Sequence, residues 1–275
     1  MANVMEAEVG QEKALVHYEA RDGVAILTLD DPPANTYTYE LMQDLDRSIL
    51  RARMDESVYV IVLIGEGEKF FCAGASIPML NSVTPQFKYY FCLHANETLS
   101  RLEQTPKLVI AALNGHTVGG GLEIAMAADM RIARRGGGKI GLPEVNLGVL
   151  PGTGGTQRLC RIVGKSAAIE LMVTGRTFEF DEAKDMGIVS DVYDAADRSS
   201  FLDQVMEYAK RFTPPNMASK AIGNIKRAVQ TGAELPFNDA LAVERELQQL
   251  LFQSEDAKEG IAAYVEKRKA QFKAR

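Results

Sequence analysis

The sequence holds no tryptophan, three histidines and three cysteines in 275 residues. Cys72, Cys92 and Cys160 are widely spaced and odd in number, so neither a disulfide framework nor a zinc site is expected. His17, His94 and His116 lie in unrelated segments, and none has a second histidine at ligand spacing. No metal centre is therefore expected. No apolar run approaches the roughly 20 residues needed to cross a bilayer. Residues 1–23 are acidic and mixed, with neither the apolar core of a signal peptide nor the arginines of a transit peptide. A reducing, cytoplasmic setting is the expectation. The net charge of -6 disfavours nucleic acid or an anionic membrane as a partner.

What is present is enough hydrophobic sequence, 46%, to bury a sizeable core. Ala14 to Glu19 and Val24 to Asp30 flank Arg21-Asp22-Gly23, which predicts a hairpin. Leu41, Met42, Leu45, Ile49 and Ala52 share one face of a helix over Thr38–Met54. Val58–Ile64 and Leu108–Leu113 are continuous apolar runs, the pattern of strands buried on both sides. Between them, Phe70 to Ala75 reads as an apolar loop, and Thr84-Pro85 opens a second helix as N-cap and first helical residue. That helix carries the stripe Phe87, Phe91, Ala95, Thr98 and Leu102. Strands and helices thus alternate with a loose repeat of about 45 to 50 residues, the pattern of an α/β fold. Short helices are expected at 167–172 and 181–186, with a strand-like run at 188–192. Beyond Ser199 only helical patterns remain, at 201–212, 218–229, 238–252 and 257–272. The third has Ala240, Val243, Leu247, Leu250 and Leu251 on one face, to pack on the core or on another copy of the chain.

Several motifs fail on inspection. Gly164-Lys165-Ser166 ends like a phosphate loop, but Leu159 stands where its first glycine belongs. Gly152-Thr153-Gly154-Gly155-Thr156 has Gln157 where a dinucleotide fingerprint needs glycine, so both stretches read as turns. Ser76 lacks the second glycine of a nucleophile elbow. Two carboxylates remain. Glu123 sits among Leu122, Ile124, Ala125 and Met126, and Glu144 follows Pro143 and precedes Val145, Leu147 and Val149. Each has little water around it, which raises a carboxyl pKa toward the range of a working acid or base. The run Gly119-Gly120-Gly121 leads into the helix-like segment that carries Glu123 and leaves backbone N–H groups free at its positive end. A second donor is available at Gly74-Ala75-Ser76. Two such donors on one oxygen would stabilise an enolate, so the pattern suits proton transfer beside a carbonyl.

These residues carry a resemblance. Phe71-Cys72-Ala73-Gly74-Ala75, Ala112-Leu113-Asn114-Gly115 with Gly119-Gly120-Gly121-Leu122-Glu123, and Pro143-Glu144-Val145-Asn146-Leu147-Gly148 running on to Arg158 resemble the enoyl-CoA hydratases of the crotonase superfamily. The ending from Val265 to Phe272 is similar too. The resemblance implies an α/β spiral of repeated ββα units over residues 1–198, and a helical oligomerisation region over 199–275. It implies a homotrimer or dimer of trimers, and an acyl-CoA substrate with no further cofactor. It places the oxyanion-hole N–H groups on Ala75 and Gly120, and the catalytic pair on Glu123, to activate water, and Glu144, to supply a proton. It assigns CoA or substrate contacts to Ala73, Gly74, Ser76, Ile77, Gly119, Gly152, Phe272 and Lys273. Departures stand at Ser76, where aspartate is common, at Pro78, where lysine is frequent, and in Asn35-Thr36-Tyr37-Thr38, which replaces an asparagine-alanine-leucine turn. Phe87, Tyr89, Tyr90 and Phe91 fall in the region expected to line the acyl pocket, with helix packing as the alternative. Other reactions of the superfamily, such as isomerisation or decarboxylation, and a role as an inactive scaffold are the rival expectations.

Overall fold

A computed structural model describes residues 13–275. Its strands are β1 (Val16–Arg21), β2 (Val24–Leu29), β3 (Val60–Gly65), β4 (Phe70–Cys72), β5 (Leu108–Leu113), β6 (His116–Val118), β7 (Met130–Arg134), β8 (Lys139–Gly141), β9 (Phe178–Glu179) and β10 (Asp191–Tyr193). Helices α1 (Tyr39–Met54), α2 (Ile77–Ser82), α3 (Pro85–Glu103), α4 (Gly120–Met126), α5 (Gly155–Val163), α6 (Lys165–Thr174) and α7 (Phe180–Asp185) are interleaved with them. Four helices close the chain: α8 (Arg198–Lys210), α9 (Ser219–Gly232), α10 (Phe237–Phe252) and α11 (Glu255–Val265).

The strands form two sheets. The larger has the order β1-β2-β3-β5-β7-β10, parallel except for the β1–β2 hairpin, and the smaller runs β4-β6-β8-β9. Each of three successive units puts its first strand in the larger sheet and its second in the smaller: β3 with β4, β5 with β6, and β7 with β8. A helix follows each pair, which makes the winding a spiral of ββα units. The repeat is structural and not a fixed sequence period. The units begin at Val60, Leu108 and Met130, because α2 and the 19-residue α3 both follow the first pair, whereas the 7-residue α4 alone follows the second.

Alternation along β3 explains why the run had no polar face. Ile61 and Leu63 join the core beneath α1 and α3, while Val60, Val62 and Ile64 join a second core with Phe201, Val205 and Met206 of α8. Both faces of the larger sheet are therefore covered, as continuous β-branched strands require. Helix α9 is fastened to the spiral by a buried ion pair, Lys226 Nζ to Asp129 Oδ2 at 2.8 Å. Among the described residues, no helix is long and apolar enough to cross a membrane.

Four expectations change. Phe70–Cys72 is a strand and not a loop, held by β6, a partner 46 residues on for Phe70 and too remote for a three-residue run to announce. At 188–192 only Asp191 onward is strand; Ile188 and Val189 are buried in the turn that closes α7 onto Ala183. The last helix stops at Val265 and not at Phe272. Lys267 there takes φ 54°, and the tail folds back so that the N–H groups of Lys273 and Ala274 donate to the Asp256 carboxylate at 2.7 and 2.9 Å. The glycine-rich stretch before Gln157, expected as turns alone, starts α5 at Gly155 after a left-handed Gly154.

Candidate active site

A cavity of about 710 Å³ opens where the glycine run, the loop after β4 and the segment after β8 converge. Helix α4 begins there with Gly119 as N-cap at φ 55°, and no side chain caps it. All seven α4 residues are buried, so its orphan N–H groups face the cavity or the protein and not bulk water. The run must be glycine for reasons of space. A Cβ at Gly121 would lie 2.0 Å from the Cys72 carbonyl oxygen, and one at Gly120 would lie 2.0 Å from Cε1 of Tyr37. The main chain of α4 is thus pressed directly onto the end of β4 and onto the Tyr37 ring.

The segment after β4 carries the Ala75 N–H expected as the second donor. The Tyr37 N–H donates to the Gly74 carbonyl at 2.9 Å, and the Ser76 N–H donates to the Tyr37 carbonyl at 3.2 Å. This short parallel bridge pairs Tyr37 with Ala75 while using only the flanking N–H groups, leaving that of Ala75 aside. Gly74 stands so close to Gly120 that a Cβ on it would fall 2.9 Å from the Gly120 nitrogen. Ala75 and Gly120 both line the cavity.

Glu123 lies one turn into α4 and is 1% exposed. Its Oε1 accepts two backbone N–H bonds, from Thr153 and from Gly155, each at 2.7 Å. Gly155 leaves the room this needs, since a Cβ there would come within 2.9 Å of that oxygen. Burial raises the Glu123 carboxyl above its ordinary value, opposed by those two N–H groups and by the Arg158 charge. Glu144 opens a single 3₁₀ turn, Glu144–Leu147, closed by a left-handed Gly148. Its Oε1 sits 2.9 Å from where a Gly119 Cβ would be, so the carboxylate overlies the glycine run. Its Oε2 is buried with no protein partner. Burial first, and then the charge of Glu123, push the Glu144 carboxyl up to about 7, with Lys88 opposing. The two carboxyls differ in their surroundings. Glu123 is anchored by main-chain donors, and Glu144 is held close to half protonated.

Nine residues expected at the site, Ala73, Gly74, Ala75, Ile77, Gly119, Gly120, Glu123, Glu144 and Gly152, line this one cavity. Three do not within the single chain. Ser76 is the N-cap of α2, its hydroxyl accepting from the Met79 N–H at 3.5 Å. The Phe272 N–H donates to the Pro215 carbonyl, with its ring against Gly260, and Lys273 is tied to Asp256. Only Phe91 of the aromatic segment is fully packed, and none of the segment follows the pocket expectation. Phe91 is buried 5.5 Å from the Tyr37 ring and stacks on Phe87, whereas Tyr89 and Tyr90 point to solvent. None of the four lines the cavity, where Thr84, Pro85 and Lys88 of the same region do. Sequence reasoning gave no role to Tyr37, Thr153 or Lys88; the unusual turn at 35–38 was the available signal for the first of these. Among the described residues, no cluster of three or more histidine, cysteine or acidic side chains is placed to hold a metal ion.

The profile of the enoyl-CoA hydratase/isomerase family matches residues 19–275. The chain belongs to this family. Within it, a probable enoyl-CoA hydratase of Bacillus subtilis is 37% identical over 251 residues, spanning 91% of this chain and 95% of the relative. A short-chain-enoyl-CoA hydratase of Clostridium acetobutylicum is 37% identical over 252 residues, spanning 91% and 94%. Among solved structures, an enoyl-CoA hydratase of Geobacillus kaustophilus superposes with a TM-score of 0.92 at 43% identity, over 96% of this chain and 98% of that one. The mixed α/β fold of parallel sheet and helices is that of these crotonase-like relatives, with the C-terminal helices included.

Proposed function

We propose that the chain is a 2-enoyl-CoA hydratase that adds water reversibly and syn across the conjugated double bond to give a 3-hydroxyacyl-CoA. The observation that carries this reading is the pairing of an anchored carboxylate, Glu123, with a carboxyl held at about 7, Glu144, in one cavity with the Ala75 and Gly120 main chain. The thioester oxygen takes the two N–H groups, and a water molecule lies between the carboxyls. Glu123 accepts a proton from that water as its oxygen bonds to Cβ. The π electrons move to the thioester oxygen, where the N–H pair holds the enolate, one such donor being worth roughly 3 to 4 kcal/mol. The Glu144 carboxyl then delivers its proton to Cα. A proton then passes from Glu123 to Glu144 and restores the pair, so atoms and charge balance with water as the only co-reactant, and neither a metal nor a redox group takes part in the steps. CoA belongs to the substrate.

Purified protein mixed with crotonyl-CoA is expected to bleach the conjugated enoyl absorbance at enzymatic rates. An unchanged absorbance, with a 3-enoyl-CoA converted to the conjugated isomer, would replace hydration by isomerisation. We further propose that the chain assembles as a trimer or dimer of trimers. Supporting this, α10 buries only Leu247 fully within the chain, and Phe237, Phe252, Tyr264 and Val265 are exposed on α10 and α11. Light scattering is expected to give three or six times the 30.1 kDa chain mass; a monomer at micromolar concentration would refute the assembly.

A further inference from the structure

Tyr37 comes from the loop before α1, far in sequence from either glutamate, yet it touches both halves of the site. It is 2% exposed, and its ring lies against the main chain of Gly120. Its hydroxyl is 2.9 Å from Oγ1 of Thr153, itself 1% exposed. Thr153 is the residue whose N–H meets Glu123 Oε1 at 2.7 Å. A buried phenol needs some partner, and many would serve. Here the partner is one of the two residues that hold the candidate base.

Resting on the reading of Glu123 as base, we propose that Tyr37 is a positioning residue: its hydroxyl fixes Thr153, and through it the Glu123 carboxylate, while its ring braces the Gly120 start of α4. Either hydroxyl could donate in this pair, and the proposal takes Tyr37 as the donor. Burial and the charge of Glu123 raise the Tyr37 phenol well above its ordinary value, so it keeps its proton and can donate it. Thr153 Oγ1 then accepts from Tyr37, and its own proton is free to face the carboxylate, where it helps to hold the Glu123 pKa down. The other groups around this chain are accounted for. Arg158 of α5 donates to the Thr153 carbonyl at 3.0 Å and is paired with Glu103. Glu144 faces Glu123 across the cavity, with Lys88 beyond it. Cys72 and Cys92 face Tyr37, and burial pushes the Cys72 thiol up to about 12, leaving it neutral.

The test is the titration of Glu123 in the unliganded protein. Isotope-edited infrared spectroscopy reads it, the band being assigned by its loss in Glu123→Gln. In Tyr37→Phe the midpoint is expected to rise by about half to one pH unit, the equivalent of one neutral hydrogen bond. The acidic limb of kcat/KM should move up by the same amount, with KM little changed, because a base must be deprotonated to act. Thr153→Val, which keeps the N–H and deletes the hydroxyl, should reproduce the shift, and the double variant should add nothing further. An unchanged midpoint in folded Tyr37→Phe, or additive shifts in the double variant, would overturn the proposal. Should Tyr37→Phe fail to fold, Thr153→Val alone still decides through its midpoint. The infrared arm needs no substrate, so a chain without hydratase activity would refute the proposed function while leaving this measurement intact.

Discussion

Glu144→Gln is expected to lower kcat for 2-enoyl-CoA hydration by about 10²- to 10⁴-fold, the range for a positioned general acid or base, and to make the protein more stable at pH 8. The second effect follows from the first role. The carboxyl is held at about 7 in the fold against an ordinary 4.5, because burial and Glu123 disfavour its charge. Between those values the folded protein holds more protons than the unfolded chain, so stability falls as pH rises from about 4.5 and the loss is complete above about 7. The penalty is on the order of 3 kcal/mol at pH 8. A neutral amide of the same shape escapes it. Melting curves at pH 5 and pH 8 should show the variant close to the parent at the lower pH and above it at the higher. Near-native turnover would remove Glu144 from the chemistry, and a lower melting temperature at pH 8 would contradict its desolvation.

At Glu123 the two obvious substitutions should part company. Glu123→Gln keeps an oxygen able to accept from Thr153 and Gly155, so the loop before α5 stays in place and the protein folds. Activity should nonetheless fall by about 10²- to 10⁴-fold, since an amide accepts no proton from water. Glu123→Ala abolishes activity equally but also strands two buried N–H groups, at a cost of roughly 2–4 kcal/mol in unfolding free energy. Urea denaturation of both variants beside a crotonyl-CoA assay separates anchoring from chemistry. Equal stability of the two would show that the carboxylate does not hold the loop.

The contrast between these variants marks what could be read from the chain and what could not. Glu123 and Glu144 stood out because each is an isolated charge in apolar sequence, and burial followed from that context alone. The partners of Glu123 lie 30 and 32 residues further on, in a glycine-rich stretch whose composition announces turns but not the oxygen they turn around. The strands β3 and β5 were legible because sheets covered on both faces demand uninterrupted apolar residues. In α3 the apolar stripe identified the helix, but the phase left Tyr89 and Tyr90 outward and brought Lys88 to the cavity instead. At the C-terminus the helical pattern continues in the sequence, and the chain abandons it because Asp256 offers a better set of bonds to the returning tail. Periodicity reports which face is apolar. It is silent on a tertiary hydrogen bond.

The contact of Gly121 with the Cys72 carbonyl has a consequence for how such a chain can change over time. The surfaces pressed together there are main-chain atoms, which every amino acid shares and no ordinary substitution alters. The Gly120 main chain, proposed to hold the substrate oxygen, is therefore mounted on a seam that tolerates no added carbon, while Leu80, Thr84, Lys88, Leu147 and Leu150 line the same cavity with no such constraint. Exchanging those residues reshapes what enters without moving that main chain. Inheritance is rigid at the glycines and free a few ångströms away, so one scaffold can be retuned by a handful of peripheral replacements.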